Sequence, residues 1–320
     1  MPSSGRTASR AQWELQFVAL AAIWGSSFLF IKVVARYWPA LWVSFGRIAL
    51  GAATLLILVA FRRERLPRDR RLWLHTAVAA LSFNAIPWTL LAFGEQHISS
   101  IVAGLWNATT PLWVLVVSMA AFPEQRPTPG RIAGLAIGFF GVAVLLGPWR
   151  GFGGGQLIGD LACAGAAVCY GLGFPYTRRH LAGRPESGVV LSACQLTCAT
   201  VMLGVFLPLS PGPSGNLGLD GVASLLALGA LGSGIAFALN YAIVRAKGAT
   251  TASTVTYLIP VFSTALGAIV LAEPLHWNQA VGAAVLLLGI AISQGRLRPA
   301  ATTVSSASQR APTAPPAARS

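Results

Sequence analysis

The carboxylates and the two isolated cations of this chain are where its chemistry would have to start. The acidic residues are Glu14, Glu64, Asp69, Glu95, Glu124, Asp160, Glu186, Asp220 and Glu273. In an apolar chain, a carboxylate at mid-depth would carry protons or bind a cation. None of these falls midway along an apolar stretch. Glu14 and Asp160 open such stretches, where a helix N-terminus favours negative charge. Glu124 and Glu273 close two others, near Arg126 and His276, where each could fix a loop or cap the next helix. All four are also candidates for gating or coupling. Arg47 lies about six residues, or roughly 9 Å, inside an apolar stretch. It either snorkels to the nearer surface or faces a cavity and pairs a substrate carboxylate. Lys32, closer to a stretch end, is better placed to snorkel.

Polar and aromatic side chains at mid-depth are the next candidates. Trp24, Ser26 and Ser27 share one stretch, Asn84 and Trp88 another, and Trp106, Asn107, Thr109 and Thr110 a third; Tyr170, Thr256 and Tyr257 come later. Buried amides need partners, so Asn84 and Asn107 stand out among these substrate-binding candidates. Pro111 and Pro260 sit mid-stretch, and each would free a carbonyl four residues back, on Asn107 and Thr256. Freed carbonyls at membrane depth are tolerated beside protein or a wet cavity, so both prolines are hinge candidates pointing at such a cavity.

Catalytic signatures are missing. Cys163, Cys169, Cys194 and Cys198 all lie in apolar stretches with no CxxC pair; Cys194 and Cys198 share a helical face (i, i+4) but have no His or carboxylate nearby in sequence to complete a metal site. There is no HExxH, nucleophile elbow or P-loop. Leu157-Ile158-Gly159-Asp160 approaches the GxGD of intramembrane aspartyl proteases, but lacks its first glycine and a second mid-depth Asp. The sequence therefore leads us to expect no catalytic residue, metal or cofactor.

The elements that must position these groups follow from composition. Of 320 residues, 55% are hydrophobic and 10% charged, against about 25% charged in a soluble domain. Mean hydropathy is +0.66. Ten stretches are long enough to cross a bilayer: 15–35, 41–61, 72–93, 98–122, 130–148, 157–177, 188–209, 219–242, 250–271 and 276–294. The net charge of +14 is distributed as a topology signal rather than a nucleic-acid footprint. Arginines and lysines crowd alternate loops (62–71, 126–131, 178–184, 245–247) and both tails, while the remaining loops hold Arg36, Arg150 and little else. The expected arrangement is ten helices in the cytoplasmic membrane with both termini cytoplasmic. The Ser-, Ala- and Pro-rich tails 1–12 and 297–320 read as disordered.

The two halves also match each other. At an offset of 146–149, Glu14 meets Asp160, Trp24-Gly25 meets Tyr170-Gly171, and Phe93 meets Tyr241. Pro111 meets Pro260, Glu124 meets Glu273, and Asn107 meets Thr256. An odd number of spans per repeat inverts the second copy relative to the first, a construction that many secondary transporters use for alternating access. Domain expectations are a tail over 1–12, a first repeat over 13–148, a second over 149–295 and a tail over 296–320.

On IWGSSF at 23–28, the two Pro…Glu pairs and the Gly-rich fifth and tenth spans, the chain resembles the ten-helix EamA-type transporters of the drug/metabolite transporter superfamily. The resemblance covers about 15–295. It implies an all-α polytopic fold, two five-helix bundles around a central cavity, and export of amino acids or other small metabolites. The small four-helix multidrug relatives carry a Glu midway along their first helix; here that region reads Ala19-Leu20-Ala21-Ala22-Ile23. The missing central carboxylate favours a weakly coupled facilitator of neutral or zwitterionic metabolites. Efflux of drugs or lipophilic compounds is the runner-up, and an intramembrane enzyme or assembly factor is the rival of another class. The expected partners are a small-molecule substrate and the lipid bilayer, with no nucleic acid; the chain reads as a monomer, with a dimer open through its GxxxG steps.

Overall fold

The computed structural model describes residues 4–121, 128–150, 155–181, 183–213, 215–247 and 254–295. Every regular element among them is helical, and they form ten apolar segments in chain order. These are α1 (Ser4–Val34), α2 (Ala40–Phe61), α3 (Arg70–His97), α4 (Ser100–Asn107 and Thr110–Ala121) and α5 (Pro129–Leu146). The second half supplies α6 (Gln156–His180), α7 (Gly188–Phe206), α8 (Leu219–Ile243), α9 (Val255–Val270) and α10 (Trp277–Ser293). Segments α1–α8 are long and apolar enough to cross a membrane, and α9 and α10 are shorter apolar helices. Helix α1 reaches back to Ser4, so residues 4–12 continue the first helix where the composition suggested a disordered tail. Residues 296–320 and Glu124 lie outside the described residues.

The inverted repeat is visible in the irregularities of the backbone. Segments α3 and α8 each contain a π-helical stretch, Leu81–Ala85 in one and Ala227–Ile235 in the other. Segments α4 and α9 each break just before a proline. In α4 the break falls between Asn107 and Thr110, so Pro111 sits in the first turn of the new helix, where its missing N–H costs least. In α9 a 3₁₀ turn, Thr254–Tyr257, gives way to Ile259–Val270 with Pro260 in its first turn. Local hydroxyls repair the α4 break: Thr109 donates to the Trp106 carbonyl at 2.7 Å and Thr110 to the Asn107 carbonyl at 2.8 Å. The prolines therefore begin new helices instead of kinking continuous ones.

The bundle has two chemically distinct ends. At the sparsely charged end, the Tyr37 hydroxyl donates to the Asp220 carboxylate at 3.0 Å and the Trp42 indole donates to the Pro211 carbonyl at 3.1 Å. At the basic end, Arg184 pairs with Asp69 at 3.3 Å and the Ser187 hydroxyl donates to Glu64. Asp69 also caps α3 by accepting the Arg71 N–H at 2.8 Å. That bond, aided by Arg184, holds its carboxyl below the usual carboxylate range. Both ends thus tie the two repeats together.

Segments α5 and α10 pack backbone to backbone. A Cβ on Gly289 would lie 2.3 Å from the Gly138 amide nitrogen, and one on Gly134 would lie 2.4 Å from that of Ser293. Small residues permit this approach, which is how helices gain contact where lipid gives no hydrophobic drive between them. The Asn278 amide donates to the Leu145 carbonyl at 2.8 Å and fixes the register of the pair. Gly289→Ala should force this seam apart, costing about 1–3 kcal/mol by overpacking. Gly130→Ala, whose Cβ meets nothing within 4 Å, should be neutral. Thermal unfolding of both variants in one detergent checks the contrast.

Candidate functional site

Helices α1–α4 of the first repeat and α6, α8 and α9 of the second enclose a central chamber of about 230 Å³. Its lining is made largely of repeat mates. Trp24 faces in with Tyr170, Phe28 with Phe174, Trp88 with Phe237, and Asn107 with Thr256. Leu91 and Asn240, and Thr110 and Ile259, complete the pattern at the 149-residue offset of the later pairs. The chamber therefore lies on the pseudo-twofold axis, where an inverted repeat must place a site that both halves operate.

One charge enters the chamber from the described residues, that of Arg47. The side chain is 6% exposed and does not snorkel. Its guanidinium carbon stands 3.8 Å from the centroid of the Trp88 ring, and its Nε donates to the Ser233 hydroxyl at 3.1 Å. A desolvated stack of this kind is worth about 2 kcal/mol, comparable with the roughly 2.5–3.5 kcal/mol cost of an arginine at the centre of a membrane helix. Ser233 belongs to the π-helical stretch of α8 and donates in turn to the Leu228 carbonyl at 3.3 Å.

The same contact recurs across the pseudo-axis with neutral chemistry. Gln195 stands 148 residues after Arg47 and Ser233 stands 149 after Asn84. The Gln195 amide donates to the Asn84 carbonyl oxygen at 2.6 Å. Each second helix of a repeat thus reaches into the π-helical stretch of the other repeat's third helix. Only the first copy carries charge, and that asymmetry gives the chamber a positive pole.

Of the substrate-binding candidates from the sequence, Trp24, Arg47, Trp88, Asn107, Tyr170 and Thr256 line the chamber. The others are engaged elsewhere. The Ser26 hydroxyl donates to the Ile23 carbonyl at 2.9 Å, as Ser and Thr do inside membrane helices. Asn84 is fully buried against Gln195. The Trp106 indole is turned away and donates to Asp160 at 2.8 Å. Tyr257 is half-buried and packs against the core. Phe83, Phe174, Phe237 and Asn240 were not anticipated; the repeat offset that pairs Trp88 with Phe237 and Leu91 with Asn240 held the signal for two of them.

The carboxylate candidates also separate. Glu14 is exposed on α1. Glu273, after α9, accepts the Ser100 amide and hydroxyl, both at 2.9 Å, and the Ile101 amide at 3.1 Å. It caps α4 of the opposite repeat and not the next helix. Asp160 is 2% exposed and lines a second pocket of about 470 Å³ at the sparse end, with His97, Val102, His276 and Gln279. Glu95 was expected just beyond the third span, but α3 continues to His97 and buries it completely. No group of three or more potential metal ligands occurs among the described residues.

Access to the chamber is one-sided. Phe83, Phe174, Phe237 and Asn240 also line a vestibule of about 940 Å³ that runs past Arg178 and Arg179 to the basic end. Towards the sparse end, Ile31 and Leu91 close over the chamber, and the Lys32 ammonium joins α1 to the Glu95 and Ile98 carbonyls.

A membrane chain whose described residues form two inverted five-helix repeats around a central chamber has the architecture of a membrane transporter. The chain belongs to the EamA-like transporter family, whose profile matches residues 11–147 and again 157–294. A probable terminal-alkyne amino-acid exporter of Streptantibioticus cattleyicolor is 34% identical to it, over 92% of this chain and 98% of that one. An uncharacterized transporter of Archaeoglobus fulgidus is 26% identical, over 84% of this chain and 94% of that one. The Escherichia coli inner membrane transporter YedA is 28% identical over 78% of this chain and 79% of its own length. A crystal structure 23% identical in sequence superposes with a TM-score of 0.62 over 89% of this chain and 98% of the other, and supports the fold.

Asn107 contributes an amide at the α4 break to the chamber wall. Asn107→Ala should reduce transport about tenfold, the worth of one polar contact of roughly 1.4 kcal/mol. Membrane insertion and thermal stability should be unchanged. Flux in proteoliposomes, normalised to inserted protein, checks this.

Proposed function

We propose that the chain exports small carboxylate-bearing metabolites, amino acids foremost, by alternating access of its two repeats. The observation that carries this reading is Arg47, held dry on Trp88 at the wall of the chamber. A fixed guanidinium suits a carboxylate, which it can meet with parallel hydrogen bonds. It also repels bare cations, which counts against cationic drugs. The ammonium of a zwitterion would meet neutral oxygens, from Asn107, Asn240, Thr110 and Thr256, while the aromatic walls accept an apolar side chain. The chamber volume of about 230 Å³ falls below the ~300–1,000 Å³ of drug-sized sites. A relative at 34% identity named for amino-acid export supports the substrate class.

On this reading the basic end faces the cytoplasm, as the alternation of charged loops favours, and the described conformation is open inward. The breaks before Pro111 and Pro260 act as hinges about which each repeat rocks. The chain acts by binding and conformational exchange, with no catalytic step.

The test is counterflow of a labelled amino-acid pool in proteoliposomes. Arg47→Gln is the informative variant, because Gln195 occupies the mate position and the scaffold accepts glutamine there. Losing the charge-assisted contact, worth about 1.5–3 kcal/mol, should weaken apparent affinity by roughly 10–100-fold. Unchanged affinity would remove Arg47 from the site. Transport of lipophilic dyes in place of amino acids would favour the efflux reading.

A further inference from the structure

Glu95 is a carboxyl that the proposed substrate site does not use. It stands on α3 in helical register with Trp88 and Leu91, one turn nearer the sparse end. The residue is 0% exposed, and neither carboxyl oxygen has a hydrogen-bond partner. The charged groups that face it are Lys32 from α1, Arg47 from α2 and Glu273 from the turn after α9. The Cys163 thiol faces it from α6. On its own helix, the His97 ring turns back to the Phe93 carbonyl at 2.9 Å.

Each potential counter-ion is already committed. Lys32 donates to the main-chain carbonyls of Glu95 and Ile98, not to the carboxyl. Arg47 is held by Trp88 and Ser233. Glu273 is itself an acid, bound by Ser100 and Ile101. An ionised carboxylate left dry and unpaired is among the costliest things a protein can bury. The neutral acid is the form this packing suits. Lys32 bridges α1 to the end of α3 directly above it, so separating these helices would admit water to the carboxyl.

We propose that Glu95 is a proton-binding site coupled to closure of the sparse end. As α1, α3 and α4 close, the carboxylate takes a proton from a hydronium ion in the solution at that end. When they part, the carboxylic acid returns the proton to water. No other bond is made or broken. The repeat mate of Glu95, 149 residues on, is Val244, so this linkage belongs to one end of the molecule. Acidifying the solution at that end favours the state open to the basic end, by up to about tenfold per pH unit for one linked proton. The inference rests on the two-sided access proposed above and not on the substrate.

Two readouts test it on the full-length protein. The first is the infrared carbonyl stretch of a protonated carboxyl free of hydrogen bonds, recorded at neutral pH. It should be present in the parent and lost in Glu95→Gln. The second uses Val102→Cys as a reporter in the sparse-end pocket. Maleimide labelling, normalised to unfolded protein at the same pH, should slow on acidification in the parent. It should be flat with pH in Glu95→Gln and regain its slope in Glu95→Asp. No infrared difference, or an unchanged pH slope in Glu95→Gln, overturns the proposal. If Arg47→Gln leaves affinity unchanged while both Glu95 readouts hold, the substrate reading falls and the proton site stands.

Discussion

A guanidinium stacked 3.8 Å from an indole and tied to a serine of the other repeat is the contact on which the chamber depends. Arg47 comes from α2, Trp88 from α3 and Ser233 from α8, so one cation joins three helices and both repeats. The charge is tolerable at this depth because an aromatic face and a hydroxyl replace part of its water. The remaining edge of the guanidinium fork is left to the chamber. Any carboxylate that enters meets a charge whose desolvation was accomplished in folding, so less of the binding energy goes to ordering the site.

The repeats supply the geometry and their differences supply the chemistry. Arg47–Ser233 and Gln195–Asn84 are one contact made twice. Both end in a π-helical stretch, a device that re-aims side chains and recurs at functional sites. In the second copy Asn84 is fully buried and its partner Gln195 faces the vestibule; in the first the cation opens on the chamber. Likewise, Glu95 has Val244 as its mate. On the proposed alternating access, an inverted scaffold makes the two access states similar in energy, and Arg47 and Glu95, which have no ionisable mate, break that symmetry. A transporter that must respond to conditions on one side needs that inequality.

Much of this was legible in the sequence because the bilayer leaves few solutions. Ten apolar stretches, an alternating charge pattern and a near-constant repeat offset are set by hydropathy and duplication, and the helices follow them closely. Pro111 and Pro260 each follow a chamber-lining residue, Thr110 and Ile259, and the helices break there and restart instead of bending. The errors came from features that hydropathy does not encode. Glu95 falls just past the apolar stretch 72–93, where hydropathy ends the span, yet its burial is set by packing against α1 and α6. Asn84 and Trp106 have the right depth but turn towards Gln195 and Asp160; for Asn84 a π-helical stretch shifts the register, so helical periodicity cannot distinguish the chamber face from an interhelical one. Nothing local in the sequence separates Phe174 and Phe237 from other membrane aromatics; they share the chamber wall with their repeat mates Phe28 and Trp88.

The central claim is that the chamber selects its substrate by the carboxylate. Trp24 and Trp88 both line it, so binding can be followed by tryptophan fluorescence without a transport assay. The direct measurement compares a pool of amino acids with the same pool as methyl esters, which keep the ammonium and side chain but lose the anionic group. The account predicts that the acids perturb the emission saturably and the esters do so at least about tenfold more weakly. Equal or stronger binding of the esters would contradict it.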